Sequence, residues 1–215
     1  MANFKTHLGV AAVVSGGGAL LLYDKVGVKD ALFLFVSGCI GGILPDIDHD
    51  NSIPLRILQN ISTLFVVFFV FLFFYDKVNS LMLLIFMITG YIGSFLLFYI
   101  FKKFTTHRGI IHSISFGVLL ALLFNFVIFE VSNNQKLSLL AGFFLFLGYV
   151  THLILDEIYS IDFMGRRIKK SFGSALKLKG ENQLLNLILI FAILLTFLLP
   201  PNYTFLLEIL KDLND

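Results

Sequence analysis

The stretch VNSLMLLIFMITGYIGSFLLFYIF, residues 78–101, runs 24 positions without a charged side chain. A hydrocarbon core of about 30 Å takes about 20 helical residues at about 1.5 Å each. The run therefore reads as a membrane-spanning helix, and it sets the class of the whole chain. Further charge-free runs extend outward from it: Leu8 to Tyr23, Ala31 to Pro45, Ile57 to Tyr75, Gly109 to Phe129, Leu137 to Leu155 and Asn182 to Tyr203. With Val78 to Phe101 they predict an all-α, polytopic integral membrane helix bundle of about 6–7 transmembrane helices. Composition agrees. Of 215 residues, 58% are apolar and 14% charged, where a soluble domain has about 45–50% and about 25%.

The first two runs are short for a full crossing and rich in glycine (VSGGGAL, VSGCIGG). That composition suits close helix packing through small residues, and equally suits tilted, broken or re-entrant segments. Lys5 precedes an apolar run as in a signal peptide, but the segment is expected to be retained. The single cysteine, Cys39, excludes a disulfide framework or a thiolate metal cluster within one chain. A net charge of +2 and the absence of a recognition motif argue against nucleic acid as a partner. We expect one membrane-embedded domain over residues 1–215, with a basic loop at 161–181 and a last span near 182–203.

If all seven runs cross, one side carries Lys5, Arg56, Lys102, Lys103, Arg108, Arg166, Arg167, Lys169, Lys170, Lys177 and Lys179. The other carries Lys25, Lys29, Lys77, Lys136 and Lys211. The first side is thus expected to be cytoplasmic by the positive-inside rule. All five histidines, His7, His49, His107, His112 and His152, fall on that same side, and so do Asp46, Asp48, Asp50 and Asp156. Nothing in the placement of apolar runs requires that clustering.

Three short motifs concentrate the chemistry. In GYVTHLILDEI (residues 148–158), His152 and Asp156 stand four apart and share a helix face; the pair could equally be helix-stabilising. In TTHRGIIHS (105–113), His107 and His112 would lie about 140° apart on one helix. We therefore expect Gly109 to mark the helix start, with His112 in the first turn and His107 before it. Arg108 would face the same mouth, where a guanidinium suits a phosphate or oxyanion, although an interfacial snorkelling arginine reads as well. In LPDIDHD (44–50), Pro45 tends to end the second helix at Leu44. Asp46 and Asp48 would then share one side of extended backbone, beside His49. His7 in KTHLGV is a lone histidine that joins the set by its company.

Imidazole and carboxylate groups of this kind bind zinc, manganese or iron, one or two ions. An ion would also offset the cost of keeping ionisable groups at membrane depth. The metal ligands expected are His7, Asp46, Asp48, His49, His107, His112, His152 and Asp156. The groups expected in catalysis are Asp48 or Asp156 as general base and Arg108 for negative charge.

With PDIDHD, HRGIIHS and GYVTHLILDEI in this order, the chain resembles the LexA-regulated, inner-membrane-associated metal-dependent hydrolase family from roughly His7 to Ser160. The resemblance implies a bacterial inner-membrane protein whose site is built from Asp46, Asp48, His49, His107, His112, His152 and Asp156, with Arg108 and Ser113 close by. After the last aspartate the run DEIYSIDFMG departs from the threonine-glycine of many relatives. The function expected is hydrolysis of a lipid or lipid-linked phosphoester at the cytoplasmic membrane surface, with membrane lipids as partners. The alternatives are a metal-ion or proton transporter and a structural membrane protein with a stabilising metal.

Overall fold

The computed structural model describes residues 3–48, 52–104, 109–162, 167–168, 176–180, 182–199 and 201–202. These are helical apart from turns and one antiparallel pair of two-residue strands, Ile161–Asp162 with Arg167–Ile168. The chain divides into two compact units, residues 46–107 and the remainder.

The larger unit is built on two helical hairpins. Helix α1 (Phe4–Val26) is capped by the Asn3 side chain, which accepts from the Thr6 N–H at 2.8 Å. It ends at Gly27, whose φ of 83° and ψ of 168° belong to glycine alone among ordinary residues. Helix α2 (Val28–Gly41) starts at the next residue, so one glycine reverses the chain. Helix α5 (Ile114–Ser132) ends on Asn133 in the left-handed conformation, and Asn134 caps α6 (Gln135–Ile158) by accepting from the Leu137 N–H. Two asparagines thus make the second reversal, with the side-chain oxygen of one doing the capping.

Helix α6 is the centre of the unit. Ala141, Leu145, Tyr149, His152 and Asp156 are all buried along it. Its contact with α2 is backbone against backbone: a Cβ on Gly148 would overlap the Gly38 carbonyl, and one on Gly41 would overlap the Leu145 carbonyl. Small residues allow that approach, as the glycine content of the second run suggested. Helix α1 closes the group with a buried stripe, His7, Ala11, Ser15 and Ala19, at four-residue spacing.

Among the described residues five helices are long and apolar enough to cross a membrane: α1, α3 (Ile53–Phe74), α4 (Ser80–Phe104, of which Ser80–Ile100 forms the span), α5 and α6. The expected short first run is a 23-residue helix, because Lys5, Asp24 and Lys25 are accommodated at its ends. Helix α2 has 14 residues and α7 (Gln183–Phe197) has 15, fewer than the roughly 17 that a crossing needs. Helix α2 ends at Gly41, not at Leu44, because consecutive glycines weaken the helix ahead of Pro45.

The smaller unit is the hairpin of α3 and α4. Its interior includes a buried hydrogen bond between the Thr63 and Ser94 hydroxyls at 2.9 Å. Most of its other side chains are exposed apolar groups such as Phe65, Phe69, Leu81 and Leu97, which suits a surface solvated by lipid tails.

Candidate functional site

Four of the expected residues meet at one end of the larger unit. His7 comes from the first turn of α1, His152 and Asp156 from the last turns of α6, and His112 from a short 3-10 turn, Ile110–His112, that leads into α5. His7 Nε2 lies 3.2 Å from Asp156 Oδ1, while His112 Nε2 and His152 Nε2 lie 3.8 and 3.9 Å from Oδ2. All four side chains are fully buried. The His7 and His152 rings are stacked at 3.6 Å, and His112 stands edge-on to His152 at 5.7 Å.

Backbone groups hold the imidazoles in place. His152 Nδ1 is 2.8 Å from the Gly42 carbonyl, which can only accept, so Nδ1 carries the proton and Nε2 presents its lone pair toward Asp156. A carbonyl behind the second ring nitrogen is the usual support of a ligating histidine. The Gly42 carbonyl reaches His152 because the glycine contacts bring the end of α2 onto α6. His112 is held through its turn: the Tyr149 hydroxyl donates to the Ile111 carbonyl, and the Tyr149 ring fills the space where a Cβ on Gly117 would go.

The separations fit a cation. Two ligand atoms held at about 2.0–2.2 Å by a tetrahedral ion stand about 3.3–3.6 Å apart, close to the 3.2–3.9 Å found here. His7, His152 and Asp156 offer ligand atoms within 4.8 Å of one another, and His112 Nε2 stands on the other carboxylate oxygen at 3.8 Å; imidazole nitrogens with a carboxylate oxygen are donors that zinc takes. The same contacts could relay a proton between imidazole and carboxylate.

The remaining expected residues stand differently. His49, Asp50, His107 and Arg108 lie outside the described residues, as does most of the basic loop and the C-terminal segment from 203. Asp46 and Asp48 belong to a 3-10 turn, Leu44–Asp48, not to extended backbone. At three residues per turn, positions two apart are separated by about 240°, so the same-side argument for this pair falls. His112 does not open α5. The helix begins at Ile114 behind Ser113, whose hydroxyl donates to the Ile110 carbonyl at 2.6 Å and accepts from the Phe116 N–H at 3.3 Å. Ser113, expected close by, therefore serves as a helix cap.

Residues 176–180 form a strap across the start of α5. The Ile114 N–H bonds the Lys177 carbonyl at 2.9 Å and the Ser115 N–H bonds the Leu178 carbonyl at 3.3 Å. Asn186 of α7 anchors the strap through the Gly180 carbonyl. Tyr149 and the Gly42 carbonyl were not anticipated. Tyr149 precedes His152 by three residues, so helical spacing was the available signal; nothing in the sequence marks which carbonyl will face a ring nitrogen.

No curated protein and no solved structure matches the chain. The YdjM inner membrane protein family matches residues 1–168, a stretch that includes all five crossing-length helices and the whole buried cluster. The chain therefore belongs to the YdjM inner membrane protein family and is a multi-pass protein of the inner membrane.

Proposed function

We propose that this protein is a metal-dependent hydrolase that acts at the cytoplasmic membrane surface on a lipid or lipid-linked phosphoester. The observation that carries the reading is the convergence of three buried imidazoles on one buried carboxylate at one end of a membrane bundle. Ionisable groups in that position are costly and mark function by default. His7, His112, His152 and Asp156 would hold the ion, zinc before manganese or iron; Asp46, Asp48, His49 and His107 are the further ligands proposed should a second ion bind. A bound ion would supply a water with its pKa lowered to about 7 and a Lewis acid for the phosphoryl oxygen.

The chain's own groups have distinct parts. Gly42 fixes the His152 tautomer, and Asp156 sets the orientation of the imidazoles around it. With Asp156 so engaged, proton transfer falls to Asp48 and charge stabilisation to Arg108. The bias of Lys and Arg toward this end supports a cytoplasmic site. Its position at the ends of membrane helices supports a lipid substrate.

A structural ion is the second reading, and one observation favours it. All four side chains are completely buried, and structural zinc sites are closed whereas catalytic ones keep an open position. The test is elemental analysis of detergent-purified wild type beside His112→Ala and Asp156→Ala, followed by a lipid phosphoester assay of metal-reloaded protein. Stoichiometric metal and turnover in wild type, both lost in folded variants, support the hydrolase. Metal without turnover supports the structural ion. Folded wild type that holds no transition metal after reloading overturns both.

A further inference from the structure

A second polar feature lies inside the span, away from the histidines. Asn125 stands midway along α5, about 16 Å from the helix start at about 1.5 Å per residue, and is 3% exposed. Its Nδ2 donates to Asn202 Oδ1 at 2.6 Å, and Asn202 Nδ2 donates to the Thr196 carbonyl at 2.8 Å. That carbonyl can only accept, which fixes the Asn202 amide and, through it, the Asn125 amide. Turning either amide over would set donor against donor or acceptor against acceptor. Among the described residues Asn125 Oδ1 is consequently left buried with no hydrogen-bond partner.

Asn125 lines a cavity of about 250 Å³ between α5, α6 and α7. Ala121, Leu139, Phe143, Phe146 and Phe197 make its apolar walls, and Asn202 lines it beside Asn125. Phe143 is 57% exposed, so the cavity reaches the side of the bundle that faces lipid. An isolated buried acceptor is costly, and its neighbours restrict what could satisfy it. Water in such a cavity needs two to four polar partners, and the polar side chains of this lining are two asparagines already bonded to each other. A plain acyl chain fills the space and leaves the acceptor unmet. An amide N–H would bring a carbonyl that apolar walls cannot satisfy. A hydroxyl on an apolar body meets both demands, and a dry cavity of about 150 Å³ already admits benzene.

We propose that the α5–α6–α7 cavity is a binding site for an apolar alcohol or phenol, entering from the lipid phase and donating its hydroxyl to Asn125 Oδ1. The site is independent of the histidine cluster and does not rest on its function.

The experiment is a 19F NMR titration of the full chain in detergent micelles with 4-fluorophenol and with 4-fluoroanisole, which keeps the ring and lacks the O–H. Wild type should bind both saturably and the phenol about tenfold more tightly, the factor one hydrogen bond to a buried acceptor supports. Asn125→Leu should bring the phenol down to the anisole affinity. Ala121→Phe, which fills the cavity and keeps the asparagines, should abolish saturable binding of both probes. Equal affinities in wild type, a phenol preference that survives Asn125→Leu, or partition into micelles without saturation would overturn the proposal. If Asn125→Leu does not fold, saturable binding that persists in Ala121→Phe overturns it equally.

Discussion

Tyr149→Phe isolates one bond that positions His112. The ring stays, so the contact with Gly117 is kept, and the donor to the Ile111 carbonyl is deleted. Loss of a hydrogen bond to a buried carbonyl costs about 1–3 kcal/mol. At about 1.4 kcal/mol per factor of ten, local opening of the turn should rise about 5- to 150-fold. Two amides report on it, because Ile114 and Ser115 donate across the same junction to Lys177 and Leu178. Hydrogen exchange of the intact protein in lipid nanodiscs should speed at these amides, while the Gly27 N–H, bonded to Tyr23 in the other hairpin, keeps its rate. If the proposed site holds zinc, its affinity should fall about 10- to 100-fold, as when the support behind a ligand is removed. Unchanged exchange at Ile114 and Ser115 in folded Tyr149→Phe would refute the reasoning, since the turn would then be held without the hydroxyl.

Three further perturbations follow from the packing. Gly148→Ala places a methyl group on the Gly38 carbonyl, a backbone atom with little freedom to retreat; destabilisation at or above the upper end of about 1–3 kcal/mol is expected in a reversible unfolding titration, and wild-type stability would contradict the close α2–α6 contact. Gly27→Ala puts a side chain at φ 83°, ψ 168° and should cost about 1–3 kcal/mol, read in the same titration. Thr63→Val and Ser94→Ala in a double-mutant cycle should give a coupling near 0.6 and no more than about 1.7 kcal/mol, and a coupling of zero would remove the hydroxyl pair from the α3–α4 contact.

The class of the fold was legible because charge-free runs of 15 to 24 residues are rare outside membranes. Helix ends were less so. Lys5, Asp24 and Lys25 look like boundaries of an apolar run, yet the backbone continues helical through them because charged side chains at a helix end reach water from the interface. The site followed the same division. His152 and Asp156 are tied by local helical geometry, and their pairing could be read from spacing. The approach of His7 depends on a hairpin turning at Gly27 and on α1 docking against α6, which is tertiary information. Asp46 and Asp48 show the reverse error, since an extended backbone was assumed where a 3-10 turn forms. Asn125 carried a signal that went unread: an amide in the middle of an apolar run is expensive unless it has a purpose.

On the proposed reading, the placement of the cluster would link ion binding to assembly of the bundle. His7 enters on the first hairpin, His112, His152 and Asp156 on the second, so the set is complete only when the two hairpins are docked. A ligand that binds the docked state alone stabilises it by about 2.7 kcal/mol at a hundred times its dissociation constant. That exceeds the yield of most single hydrogen bonds between membrane helices. The α1–α6 contact has few large apolar groups at this end, where the side chain facing α6 is His7 itself. An ion would therefore act as the fastening between hairpins as well as the reactive centre, and its removal should loosen α1 before α5 and α6 separate. Exchange at the first turn of α1 that is indifferent to a chelator, in protein shown to have carried metal, would break this link and leave the ion with chemistry alone.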